Sequence, residues 1–166
     1  MFSRILVPTD FSPPSDAAFE YARILAAKFG SSLQILHVID DPTAESDFVA
    51  DGFAPSTEGI RTSLLENARG RLERSMNLVD RSRYHAHAEA VLGMPAASIV
   101  DYATVTGTGL IVMGTHGRTG LAHLLMGSVA EQVVRSAPCP VLTVRQVAVA
   151  DEQVARAVDL RMAVAV

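Results

Sequence analysis

The sequence predicts an α/β fold: an open, doubly wound, five-stranded parallel sheet with helices on both faces. Three observations carry that prediction. Short β-rich apolar runs alternate with longer helical patterns, giving the order β-α-β-α-β-α-β-α-β. Runs such as RILV (4–7) and GLIVMG (109–114) are almost continuously apolar, as strands buried on both faces are. A chain of 166 residues, 49% hydrophobic, is most simply one domain with a substantial core.

Each element has its own signal. After RILV, the segment SPPSDAAFEYARILAAKFG reads as a helix: Ser12 can cap it, Pro13 and Pro14 suit its first turn, and Gly30 can end it after Lys28. Ala18, Tyr21, Ala22, Leu25 and Phe29 share one face of that helix. SLQILHVI (32–39) is the second strand, and 40–57, rich in Asp, Pro, Ser and Gly, reads as a long loop. A second helix is expected from Glu58 to Val79, with Ile60, Leu64, Ala68, Leu72, Met76 and Val79 on one side. RYHAHAEAVL (83–92) alternates as a strand. Met94-Pro95 opens a helix to Thr106, GLIVMG is the fourth strand, Ser128–Ser136 the last helix, and Pro140–Val144 the fifth strand. The scheme makes 1–145 one domain and leaves 146–166 as a tail, in which Asp151–Leu160 has a short amphipathic pattern.

The bulk properties exclude several classes. A formal net charge of −4 argues against nucleic acid as a partner, because such proteins usually carry a basic stripe. MFSRILVPTD has no apolar core of signal-peptide length, and no segment reaches the roughly 18 apolar residues of a spanning helix, so no membrane partner and a cytoplasmic location are the expectation. The single cysteine, Cys139, between two prolines, cannot form an internal disulfide framework and reads as a small buried or edge residue. The only lysine is Lys28, and no GxxxxGK[ST] element exists, which speaks against a P-loop nucleotidase. Gly107-Thr108-Gly109 precedes its strand instead of following it, so it is no dinucleotide fingerprint. His85 and His87 share a strand face that can look to solvent, His116 and His123 specify no ligand geometry, and Gly-x-Ser-x-Gly is absent.

Open parallel sheets bind ligands beyond the carboxyl ends of the strands, where the winding direction reverses. Two loops with unusual chemistry leave such ends: PTDFS (8–12) after the first strand, and THGRTGLAHLLMGS (115–128) after the fourth. With a strand order 3-2-1-4-5 both would meet over one crevice. Glycines let backbone amides converge on an anion, and the N-terminus of the following helix adds its own amides and dipole. Gly127 and Ser128 fall at that junction. Against a ligand role, Ser128-x-x-Glu131 is also a capping-box pattern, and Asp10 beyond a strand end is also an Asx-turn residue. On the residues alone, a long structural turn and an anion cradle stay equally open.

The residues also resemble a known family. MGTHGRTGLAHLLMGSVAEQVVRSAPCPVLTV (113–144) is similar to the C-terminal half of universal stress protein domains, with the spacing Gly-x2-Gly-x9-Gly-Ser met by Gly114, Gly117, Gly127 and Ser128. RILVPTDFSPPSDAAFEYARILAAKFGSSLQILHVID (4–40) resembles the first β-α-β unit of that family, and the likeness covers about 4–145, weakest over 40–80. It implies the strand order 3-2-1-4-5, a homodimer through the fifth strand, and membership of the branch that binds ATP, with Mg2+ as an optional companion. It further implies that Asp10 meets the ribose, that Val38 borders the adenine, and that Gly114, Gly117, Gly127, Ser128 and Val129 follow the phosphates and ribose. Pro8, Thr9, Met113, His116 and Arg118 adjoin these and complete the candidate set. Gly109 replaces an Asp frequent in the family, and Leu92-Gly93 stands where an acidic residue is frequent; neither position is a phosphate contact.

The resemblance implies an ATP-binding regulatory module of stress response, with slow or no hydrolysis. Two alternatives stay open beside it: a cation-dependent phosphohydrolase or phosphotransferase using Asp10, and a dimeric scaffold whose pocket is incidental.

Overall fold

The computed structural model describes residues 2–40, 57–115 and 127–145. His116, Gly117 and Arg118, the expected 40–57 loop save its two end residues, and the tail lie outside the described residues. The elements run β1 (Arg4–Pro8), α1 (Pro13–Phe29), β2 (Ser32–Ile39), α2 (Thr57–Ser75), α3 (Leu78–Arg83), β3 (His87–Leu92), α4 (Pro95–Thr106), β4 (Leu110–Gly114), α5 (Ser128–Ser136) and β5 (Val141–Val144). The five strands form one sheet in the order β3-β2-β1-β4-β5, and every pairing is parallel. The predicted fold class and strand order are those observed.

Alternation along the strands builds two hydrophobic layers. Ile5 and Val7 of β1, Leu33 and Ile35 of β2, and Leu110 and Val112 of β4 face α1 and α2, where they meet Ala18, Phe19, Ala22, Ala26, Ala68 and Leu72. Leu6, Leu36, Ile111 and Met113 face the other way, onto Ile99 and Ala103 of α4 and Ala130 and Val133 of α5. Successive side chains of a strand point to opposite faces, so a continuous apolar run is what a sheet covered on both sides requires. Ile5, Leu6 and Val7 are all fully buried.

The buried face of α1 is Ser15, Ala18, Phe19, Ala22 and Ala26. It largely matches the expected face: Ala18 and Ala22 are buried and Tyr21 and Leu25 pack partly buried on the same core, but Phe29 is exposed and stacks edge-on against Phe2. Gly30 ends the helix in the left-handed conformation, φ 66°, as a C-terminal glycine does.

The expected single helix from Glu58 to Val79 is two. Asn77 breaks it, with extended backbone at φ −96° and ψ 175°. Its side chain accepts from the Asp80 amide at 3.0 Å while Asp80 Oδ2 accepts from the Asn77 amide at 2.9 Å, a capping box that starts α3. The turn after α3 also delays the third strand. The amides of Tyr84 and Ala86 both donate to the Asp80 carbonyl, and His85 takes a left-handed φ of 46°, so β3 begins at His87 and not at residue 83. His85 and His87 are exposed.

A buried ion pair joins α3 to α1. Arg23 Nε donates to Asp80 Oδ1 at 2.7 Å and its terminal nitrogen to Oδ2 at 2.6 Å, with Asp80 only 1% exposed. The Arg23 guanidinium also lies 4.1 Å from the centre of the Phe19 ring. Desolvation pushes the Asp80 carboxyl up, but the Arg23 hydrogen bond, the Asn77 backbone hydrogen bond and the Arg23 charge together hold it below the usual aspartate value.

Cys139 is half-buried against the α4/α5 layer. Burial pushes its thiol up, with a backbone hydrogen bond from Ile111 opposing only part of the shift. At pH 8 its alkylation by iodoacetamide is expected to run several-fold slower than that of a free cysteine, since the thiolate is the nucleophile; a rate equal to free cysteine would contradict the buried placement.

Candidate functional site

The two winding directions separate between β1 and β4, which are neighbours in the sheet. A cleft of about 520 Å³ opens beyond their carboxyl ends. Such a volume suits a small-molecule ligand. Pro8, Thr9, Asp10, Val38, Met113, Gly114, Gly127, Ser128 and Val129 all line it. His116, Gly117 and Arg118 lie outside the described residues.

The 8–12 loop is knitted together by its own side chains. Thr9 extends the β1–β2 ladder by donating its amide to the Leu36 carbonyl at 2.8 Å. Its hydroxyl accepts from the Phe11 amide at 3.0 Å and lies 3.1 Å from Ser15 Oγ. Asp10 is an Asx-turn residue, as one expectation had it: Oδ1 accepts from the Ser12 amide at 3.1 Å and from the Ser12 hydroxyl at 2.5 Å. Ser12 is the N-cap of α1 by backbone, but its side chain makes no cap hydrogen bond and serves Asp10 instead. The Asx turn and a place on the cleft wall therefore coexist in one carboxylate.

Across the cleft, the start of α5 differs from the capping-box expectation. Gly127 is the N-cap, with φ −72° and ψ 154°, and no side chain caps the helix. Ser128 is the first helical residue, so it and Glu131 are one position out of register for a capping box, which needs the hydroxyl at the N-cap and the acid at the third helical residue. The Gly127 amide sets this register by donating to the Thr115 carbonyl at 2.6 Å, while the Thr115 amide donates to the Val144 carbonyl at 2.9 Å. Gly127 thus contributes no amide to a ligand. The first intrahelical bond is Glu131 N–H to the Gly127 carbonyl, which leaves the amides of Ser128, Val129 and Ala130 without a carbonyl inside the helix. These residues are on the cleft wall. Glu131, which would oppose an anion there, pairs with Arg135 at 2.7 Å.

Gly114 has a packing reason for being glycine. A Cβ there would lie 2.9 Å from the backbone carbon and oxygen of Pro14, in the first turn of α1. That contact falls on the α1 side of the sheet, where alternation from Leu110 and Val112 puts residue 114. The close approach serves the junction of β4 with α1 whatever the cleft holds.

Several lining residues were not singled out from sequence: Ser15, Leu36, His37, Ile39, Asp40, Pro95, Ile99, Thr115 and Ala130. Pro95 and Ile99 bring the N-terminal turn of α4 to the cleft, and the signal for them was available in Met94-Pro95, a helix start just after a strand end. His37 was less legible. Its Nδ1 lies 2.7 Å from the Thr9 carbonyl, and its ring is 4.5 Å, centre to centre, from that of Phe11. Phe11 holds a left-handed φ of 61°, and its other neighbour is the Arg71 guanidinium of α2, 3.9 Å from the ring centre.

Chemically, the cleft offers an acidic acceptor on one side and free helix-start amides with a positive dipole end on the other. Val38, Ile99 and Met113 supply an apolar surface between them. Among the described residues no group of three metal-ligating side chains exists, and no helix is long and apolar enough to cross a membrane.

The universal stress protein family model matches residues 1–145. The universal stress protein MJ0531 of Methanocaldococcus jannaschii is 36% identical over 146 residues, covering 88% of this chain and 84% of that protein. The solved structure of MJ0577 from the same organism superposes with a TM-score of 0.72 at 28% identity, over 89% of this chain and 98% of that one. A universal stress protein solved in complex with cAMP superposes at 0.57, with 24% identity over 88% of this chain and 98% of that one. Sequence match and fold agree: this chain belongs to the universal stress protein family.

Proposed function

We propose that the cleft binds an adenine nucleotide, ATP foremost, and that the protein is a nucleotide-binding regulatory module of stress response and not an efficient enzyme. One observation carries the reading: the first turn of α5, with Ser128 not used as a cap, lines the same cleft as Asp10, with an apolar wall between them. That arrangement matches the three parts of the ligand. The phosphates take the amides of Ser128, Val129 and Ala130, the ribose hydroxyls take Asp10, and the base lies against Val38 and Met113. Gly114, Gly117, His116 and Arg118 complete the phosphate side, and Mg2+ arrives with the phosphates. The cAMP complex of a relative with the same fold is in keeping with this assignment.

Slow turnover is part of this reading, because Asp10, with Oδ1 accepting twice from Ser12, is assigned to the ribose and not to the phosphates. The edge of β5, where Leu142 is exposed, suits pairing with a second copy of the chain.

The test is a thermal-shift titration. ATP at a hundredfold excess over its Kd is expected to stabilise the protein by about 2.7 kcal/mol. Gly127→Val is expected to abolish that shift by putting a branched side chain on the cleft wall, at a cost of about 1 kcal/mol in the absence of nucleotide, because φ −72° suits valine but the N-cap position disfavours it. An equal ATP shift in both proteins, or rapid ATP turnover that disappears in Asp10→Asn, would replace this reading.

A further inference from the structure

We infer that His37 is a positioning residue for the ribose: by holding the residues on both sides of Asp10, it sets where the Asp10 carboxylate stands in the cleft. The inference rests on the nucleotide reading and deepens it.

Three contacts support it. His37 Nδ1 lies 2.7 Å from the carbonyl oxygen of Thr9, the residue before Asp10. A carbonyl only accepts, so Nδ1 carries the proton, and in the neutral ring that fixes the tautomer. Phe11, the residue after Asp10, rests its ring on the same imidazole at 4.5 Å between centres. The φ of Phe11, 61°, is a left-handed conformation that a bulky L-residue adopts only when its surroundings impose it. Here the imposition is visible, since the Phe11 ring is held by His37 and by Arg71 of α2.

The main-chain ladder does not do this work by itself. Its last rung is the Thr9 amide on the Leu36 carbonyl. Beyond that rung the chain leaves the sheet, and the next tie between β2 and the loop is the His37 side chain. Ser12 then fixes the carboxylate within the loop, and His37 fixes the loop to the sheet. Position along β2 explains the division of labour with Val38. Leu33 and Ile35 face α1 and α2, so alternation sends His37 to that side, toward Phe11 and Arg71, and Val38 to the α4/α5 layer.

The experiment compares ATP with 2′,3′-dideoxy-ATP by titration on the wild-type protein, His37→Phe and His37→Asn. Wild type should prefer ATP by about ten- to a hundredfold, the worth of hydrogen bonds from ribose hydroxyls to a carboxylate. His37→Phe keeps a ring for Phe11 but has no donor for Thr9. It should lose most of that preference while its affinity for the dideoxy nucleotide stays within about twofold of wild type. His37→Asn places an amide N–H near the position of Nδ1 and should restore most of the preference, a rescue that a merely structural role does not produce. His37→Leu is read in the same way if the phenylalanine variant does not fold. Full ATP preference in His37→Phe or His37→Leu overturns the inference and leaves the nucleotide reading standing. Equal binding of both nucleotides by wild type overturns the contact of Asp10 with ribose and this inference with it. Failure of wild type to bind either one overturns the nucleotide reading itself.

Discussion

Asp80→Ala is expected to cost about 3–5 kcal/mol of stability, the usual penalty for removing one partner of a buried, hydrogen-bonded ion pair. Arg23, its side chain 20% exposed, is left with only the exposed carboxylate of Glu20, one turn before it on α1. The same substitution removes half of the capping box, so α3 loses its start as well as its anchor on α1. In a chain of this length the loss should lower the melting temperature by on the order of 10 °C. The pH dependence has a definite sign. The Asp80 carboxyl is held below its ordinary value in the folded protein, so the unfolded chain takes up its proton first as pH falls. The stabilisation is complete above the unfolded pKa of about 3.9 and is lost as pH drops through the lower, folded value. Wild type should therefore lose stability steeply below about pH 4, and Asp80→Asn should lose less over the same interval. Urea denaturation at pH 7, 4 and 3 measures both effects; parallel pH profiles for the two proteins would show that the pair contributes nothing to acid sensitivity.

Gly114→Ala is expected to destabilise by about 1–3 kcal/mol through overpacking. The added methyl would lie 2.9 Å from Pro14 backbone atoms, which cannot rotate away as a side chain can. Either the end of β4 or the first turn of α1 must shift, and both border the cleft. The expected signature is a fall in melting temperature without nucleotide at least as large as that of Gly127→Val. A Gly114→Ala protein as stable as wild type would mean that the junction yields without cost.

The fold was largely legible because its signals are local and periodic. RILV and LIVMG announce strands covered on both faces, and Gly30 and Pro95 mark helix ends by backbone chemistry that acts within a few residues. The break at Asn77 was equally local, in Asn77-x-x-Asp80, but the apolar period through Met76 and Val79 masked it. The start of α5 at Ser128 was legible, but its cap was not, for a different reason. Ser128-x-x-Glu131 is a fair capping pattern by itself, and what overrides it is the hydrogen bond from Gly127 to Thr115, a contact the pattern does not contain. Arg23 meets Asp80 across 57 residues, and His37 meets Thr9 across 28. Nothing periodic links such positions. They become neighbours only once the parallel crossovers are complete, so the cleft could be located from sequence while the side chains that steady it could not.

The strand order also bears on the making of the protein. A ribosome that has finished Leu92 has produced β1, β2 and β3, which are adjacent in the sheet, but not the other neighbour of β1. Until Leu110 to Gly114 are synthesised, β1 is an edge, and its fully buried Ile5, Leu6 and Val7 flank a row of unpaired amides and carbonyls. The layer that Leu6 and Leu36 will share with α4 and α5 is equally bare. The centre of the future sheet is therefore, during synthesis, an uncovered apolar edge of the kind that makes partly folded chains prone to association.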